Sequence, residues 1–217
     1  MSLVAHIFNY HNARYTRLQS ALQSVGVHTH IVQNAREIKR AGLLVLPDAR
    51  EDGARFLGRV TPKAIEAVAS HVDRNRPILA IGAGMLLLSK GCMLRRTFFS
   101  GAGVFDAPVY RFEQEMIDAE GSPLQSPHMG FSFVVGLDRH PVIGAQFPSE
   151  QRGAWFYFRH RLCIGARVTA AEVAVAHHGF PFAGAIWRDN IFACQFLPEL
   201  SGALGLNILQ AWCKKSQ

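Results

Sequence analysis

The stretch Ile78-Leu79-Ala80-Ile81-Gly82-Ala83-Gly84-Met85-Leu86-Leu87-Leu88 decides the fold. Its first four residues are apolar without alternation, as in a strand buried on both faces. Gly82-Ala83-Gly84 is a tight turn of small residues, and the apolar run after it opens a helix. A strand-turn-helix elbow strains the backbone of its apex residue and aims the apex side chain over a helix N-terminus that stabilises negative charge. The apex here is Gly82, which accepts positive φ cheaply but brings no nucleophilic atom. On these residues alone an ordinary strand-to-helix turn, with glycine there for packing, is an equal alternative.

Outward from the elbow, the pattern alternates. Leu3 to Tyr10 is strand-like, and His11 to Ser24 carries Leu18, Leu22 and Val25 at helical spacing up to Gly26. Val27 to Val32 alternates with period two, a short charged helix follows, and Gly42 to Pro47 is another apolar strand. Pro62 to Arg74 places Ala64, Val68 and His71 on one helical side, ahead of the strand Pro77 to Ile81. From Phe98 onward the runs shorten: Val104 to Phe112, Gly130 to Val135, Ala154 to Phe158, Val173 to Ala176, Gly184 to Trp187 and Ile191 to Phe196 predict antiparallel strands. Gly202 to Trp212 predicts a closing helix. The expectation is an α/β fold in a single domain over residues 1–217. Its central sheet is mostly parallel and covered by helices on both faces, with additional antiparallel strands in the C-terminal half.

Composition narrows the function. Of 217 residues 49% are hydrophobic and 18% charged, which excludes wholesale disorder. No run approaches the roughly 18 apolar residues of a spanning helix, so no membrane role is expected. The N-terminal residues show no basic segment followed by a long apolar one, so a cytoplasmic location is expected rather than secretion. Lys plus Arg number 23 against 16 acids, a surplus of 7 that favours anionic partners. That surplus is spread along the chain, which argues for a solvated positive surface and against nucleic-acid binding. Cys92, Cys163, Cys194 and Cys213 stand far apart and read as reduced thiols, neither a disulfide framework nor a zinc site. His28 and His30 share a strand face without a third ligand, and His177 and His178 precede Gly179 as exposed loop residues, so no metal is expected. No phosphate-cradling glycine motif occurs, and no cofactor is expected.

Taken in order, Phe8-Asn9-Tyr10, Leu44-Val45-Leu46-Pro47, the elbow, Phe105 to Phe112, Pro127-His128-Met129-Gly130-Phe131, Tyr157-Phe158-Arg159-His160 and Arg188-Asp189-Asn190-Ile191-Phe192 with Gln195-Phe196-Leu197-Pro198-Glu199 resemble class I glutamine amidotransferases. Among these they are most similar to the glutaminase (HisH-type) subunit of imidazole glycerol phosphate synthase in histidine biosynthesis. The resemblance implies a cysteine at the elbow apex, a histidine before Pro-Glu as its base, and a glutamate orienting that histidine. Here the three triad positions are Gly82, Leu197 and Glu199, and only the acid is retained. A triad cannot relay a proton through an isobutyl group, so Glu199 is left an orphan, read as a surface acid near a helix start.

The resemblance also places a ligand pocket at Asp48, Arg50, Gly84, Leu86 and Lys90. The family has glycines where Pro47 is followed by Asp48-Ala49-Arg50, a glutamine at position 86 and a carboxylate at 90, so affinity for glutamine is expected to be weak. Neither Cys194 nor Cys92 is placed to replace the nucleophile. His128, Met129, Gly130 and Phe131 match the stretch by which the family docks on its cyclase barrel, with Phe131-Ser132 standing where the family shows Trp-Asn. For His128 itself, interface or tunnel lining and simple packing stay equally open. The expected partner is a HisF-like cyclase (β/α barrel) subunit. Three outcomes are compatible with the residues: a silent binding or regulatory subunit, a repurposed enzyme taking a small anionic metabolite in the old glutaminase cleft, or a structural partner of a barrel that uses free ammonia.

Overall fold

The structure, a computed structural model, describes residues 3–216 apart from His11, Glu51, Asp52, Arg95, Ala119 and Ser149. In chain order its elements are β1 (Val4–Phe8), α1 (Thr16–Ser24), β2 (His28–Val32), α2 (Ala35–Ile38), β3 (Leu43–Leu46), α3 (Gly53–Leu57), α4 (Pro62–Asp73), β4 (Ile78–Ile81) and α5 (Ala83–Leu87). There follow β5 (Gly91–Leu94), β6 (Thr97–Ser100), β7 (Val109–Arg111), β8 (His128–Val135), β9 (Gly153–His160), β10 (Leu162–Ile164), β11 (Glu172–His178), β12 (Phe180–Arg188), β13 (Ile191–Cys194) and α6 (Gly202–Lys215). Nine strands form one sheet in the order β2-β1-β3-β4-β13-β12-β11-β8-β9. The first five of these are mutually parallel, and the remaining pairings are antiparallel.

The mid-sheet sequences explain the layering. β3 and β4 are buried at every position because both faces are covered. Leu43 and Val45 of β3, with Leu79 and Ile81 of β4, join the core made with Leu18 and Leu22 of α1 and Ile208, Leu209 and Trp212 of α6. Leu44, Leu46, Ile78 and Ala80 face the opposite core, with Ala64 and Val68 of α4 and Met85 of α5. Local signals start the helices: the Thr61 hydroxyl accepts from the Ala64 N–H ahead of Pro62, and the Asn34 side chain accepts from the N–H groups of Arg36 and Glu37.

Several features depart from the sequence pattern. α1 starts at Thr16, because Ala13 bridges Ala49 and the Arg14 N–H donates to the Asp48 carbonyl at 2.7 Å, holding that stretch extended; His11 lies outside the described residues. The segment Val104 to Phe112 is a strand only at Val109–Arg111, since Phe105 is spent on an isolated bridge to Ser89. β13 is the seam of the sheet, antiparallel to β12 but parallel to β4. His177 and His178 are the end of β11, not a loop. Among the described residues, no helix is long and apolar enough to cross a membrane.

Candidate functional site

The elbow keeps its geometry. Gly82 sits at φ +56°, ψ −118° between β4 and α5, a conformation that disfavours any side chain. Its N–H donates to the Cys194 carbonyl at 2.8 Å and its own carbonyl accepts from Met85 at 3.0 Å, so β13 and the first turn of α5 fix the apex. Gly84 is required for packing, because a Cβ there would collide with the Leu46 carbonyl of β3.

What fills the apex is a carboxylate from the neighbouring strand end. Asp48, just past β3, is 5% exposed and accepts from the Ala83 N–H through Oδ1 at 3.1 Å. Its Oδ2 accepts from Arg159 Nη2 of β9, also at 3.1 Å. A Cβ built on Gly82 would lie 2.5 Å from Asp48 Oδ1. The carboxylate therefore occupies the volume in which an apex side chain would begin. It also consumes the N–H that in elbow enzymes stabilises the developing oxyanion. Burial raises the Asp48 pKa, while the hydrogen bonds from Ala83 and Arg159 pull it back down.

The other two positions that the resemblance assigned to a triad have opposite surroundings. Leu197 is buried in the core, its N–H donating to the Tyr157 carbonyl at 2.8 Å. Glu199, in the single 3-10 turn Pro198–Leu200 before α6, is not the surface acid its surroundings in sequence suggest. Its Oε2 is sealed from solvent without a hydrogen-bond partner among the described residues. Burial pushes its pKa up to about 7; Asp48 adds to the rise, and its own backbone N–H, Arg159 and Arg17 oppose it. The thiols offer no substitute: all four cysteines are buried, and burial raises those of Cys163, Cys194 and Cys213.

Beside the elbow opens a cleft of about 480 Å³ lined by Arg14, Arg17, Arg50, Arg159, Thr16 and Glu199. Of the pocket expected from sequence, Arg50 lines this cleft together with the triad-position Glu199, and Asp48 lies beneath it, tied to Arg159. Leu86 is buried in the core instead, and Lys90 points away, its ammonium 2.8 Å from Asp106 at the exposed surface. Arg14, Arg17 and Arg159 were not anticipated. The available signal was positional: Arg14 and Arg17 follow the first parallel strand, on the carboxyl-end edge where open α/β sheets bind ligands. Burial, followed by the guanidinium of Arg159, lowers the Arg14 pKa; Asp48 opposes this, and Arg50 and Arg17 add to the lowering.

The stretch 128–131 divides. His128 is buried, with Nδ1 2.9 Å from His160 Nε2 and Nε2 2.8 Å from Ser132 Oγ, and its ring stacks on Phe158 and His178. That is packing, so its side chain is no surface contact. Burial first, then its histidine neighbours, lowers its pKa to about 2, keeping the ring neutral. Gly130 is half-buried, while Met129 and Phe131 point outward at 43% and 57% exposure.

No protein-family model matches the chain. Over 206 residues it is 30% identical to the imidazole glycerol phosphate synthase subunit HisH of Geobacter metallireducens, covering 94% of each chain. The Bacillus subtilis protein of the same name is 26% identical over 208 residues, 96% of this chain and 94% of that one. Among solved structures, PurLQS from Thermotoga maritima superposes with a TM-score of 0.67 at 15% identity, covering 100% of both chains. A glutamine amidotransferase gives 0.65 at 15% identity, over 97% and 98% of the two chains. These two establish the fold. With 30% identity along nearly its whole length to a relative so named, the chain belongs to the family of HisH subunits of imidazole glycerol phosphate synthase.

Proposed function

We propose that this HisH-family chain has lost glutamine hydrolysis and serves as a binding or regulatory subunit on a HisF-like β/α-barrel partner. The observation that carries the proposal is the Asp48 carboxylate on the Ala83 N–H, in the volume above Gly82. Gly82 brings no nucleophile, Leu197 brings no base, and the Ala83 N–H is already engaged. Deleting triad members costs about 10⁶ in turnover even when the surrounding site is intact.

Docking is supported by the outer face of β8 and β9. Met129, Phe131 and Phe133 pair in register with Arg159, Tyr157 and Trp155, so all six project from one side of the sheet. Phe131, Phe133, Val135 and Trp155 are exposed at 57%, 43%, 48% and 62%, the aromatic composition of an interface core. Because Arg159 lies on this face and also lines the cleft, a partner seated here would border the old active site.

Ammonia release from glutamine, with and without the barrel partner, tests the loss of hydrolysis; turnover comparable to that of an active relative refutes it. Intact mass after incubation with acivicin provides a second readout, with no covalent adduct expected. Co-elution with the barrel tests docking. Phe131→Asp combined with Trp155→Asp is expected to weaken it about 30-fold or more, and an unchanged complex would refute this face. The four arginines favour a second role in the same chain, the cleft as a site for a small anion.

A further inference from the structure

The cleft carries more positive charge than its own carboxylates neutralise. Arg14, Arg17, Arg50 and Arg159 converge on it, and among the described residues the only ion pair made by these four is that of Arg159 with Asp48. Two polar atoms on its walls are buried without partners among the described residues, Arg14 Nε and Glu199 Oε2. Buried polar groups in folded proteins are usually paired, so the polar lining of this cleft is left incompletely satisfied by the chain's described residues.

We infer that the cleft binds a small phosphorylated metabolite, its phosphoryl dianion held by the guanidinium groups of Arg14, Arg17, Arg50 and Arg159. Guanidinium forks match phosphate oxygens in pairs, and a dianion offsets a surplus that a single carboxylate would leave standing. The Ala83 N–H is already satisfied by Asp48, so the anion is directed to the arginines and not to the helix end. The volume of about 480 Å³ falls among those of small-molecule sites and exceeds the needs of a bare ion, which points to an ester whose hydroxyls reach Glu199. The inference rests on the proposed silent elbow, since Asp48 must stay in place while the ligand binds.

Thermal melts at constant ionic strength with glucose 6-phosphate, inorganic phosphate, succinate and glucose test it. Glucose 6-phosphate is expected to raise the melting temperature saturably, inorganic phosphate to do so more weakly, and succinate and glucose not at all. Arg17→Ala and Arg50→Ala remove exposed residues and leave the fold intact by circular dichroism; each is expected to weaken the apparent Kd about tenfold or more. Arg152→Ala, whose exposed side chain pairs with Asp138 about 23 Å along the β9 direction from Arg159, is expected to change nothing. No protection by glucose 6-phosphate, equal protection by succinate, or equal weakening by Arg152→Ala overturns the site. Inorganic phosphate matching the ester overturns the metabolite. Glutamine added to parallel samples, with the released ammonia measured, separates the two ideas. Ammonia together with protection refutes the silent elbow and leaves the anion site standing, whereas neither signal refutes the anion site and leaves the elbow silent.

Discussion

Two adjacent regions handle positive charge in opposite ways. At the elbow, the Ala83 N–H at the start of α5 and one guanidinium of β9 are neutralised from within, by the single buried carboxylate of Asp48. In the cleft beside it, Arg14, Arg17 and Arg50 have no such internal partner among the described residues, and Glu199, the acid in its lining, is pushed toward its neutral form. The elbow is closed to an anion and the cleft is open to one. Gly82 carries no side chain, and the Asp48 carboxylate occupies the volume above it and the donor beside it.

The comparison breaks most visibly if the plug can be drawn. Gly82→Cys with Leu197→His returns a nucleophile and a base but leaves Asp48 against both the new side chain and the Ala83 N–H. Adding Asp48→Gly is expected to raise glutaminase turnover over that double variant by about 10² to 10³, the worth of one oxyanion donor. A double variant already as active as the triple would show that the carboxylate obstructs nothing.

A smaller effect sharpens the same contrast. Asp48→Ala leaves the buried Ala83 N–H without an acceptor and the partly exposed Arg159 without an anion, and is expected to cost about 1–3 kcal/mol in urea denaturation. Asp48→Asn keeps an acceptor for the N–H and is expected to cost roughly half as much. If removing Asp48 stabilised the protein, the carboxylate would be a strained passenger and not the closure of the elbow.

The sequence carried the elbow and the parallel strands because a strand buried on both faces must be apolar throughout, and that requirement is local. It carried less of the C-terminal half. His177 and His178 looked like loop residues next to Gly179, yet they end β11, and His178 stacks on His128 at 4.1 Å between ring centroids. That contact joins segments 50 residues apart and leaves no local trace. The cleft illustrates the same limit: its arginines come from the β1–α1 loop, the first turn of α1, the loop after β3 and the strand β9, and only the sheet order brings them together. Asp48 was visible as a departure, but its role was not. Seeing it required placing the bare Gly82 next to the Asp48 carboxylate.

Glu199 is where the smallest predicted difference still distinguishes the two regions. Its pKa of about 7 lies above the value of 4.5 expected in the unfolded chain, so the folded state holds its proton longer. The stability this confers is fully present below pH 4.5 and is lost as the pH rises through about 7, where the carboxylate must ionise in a buried place beside Asp48. Glu199→Gln cannot ionise. The variant is therefore expected to match the parent protein near pH 4 and to exceed its stability at pH 8 by about 1–3 kcal/mol, read as a shift in the urea midpoint. A variant less stable at pH 8 would mean that Arg17 and Arg159 hold the acid ionised as an ion pair. The cleft would then be neutralised from within as the elbow is, and the contrast between the two would disappear.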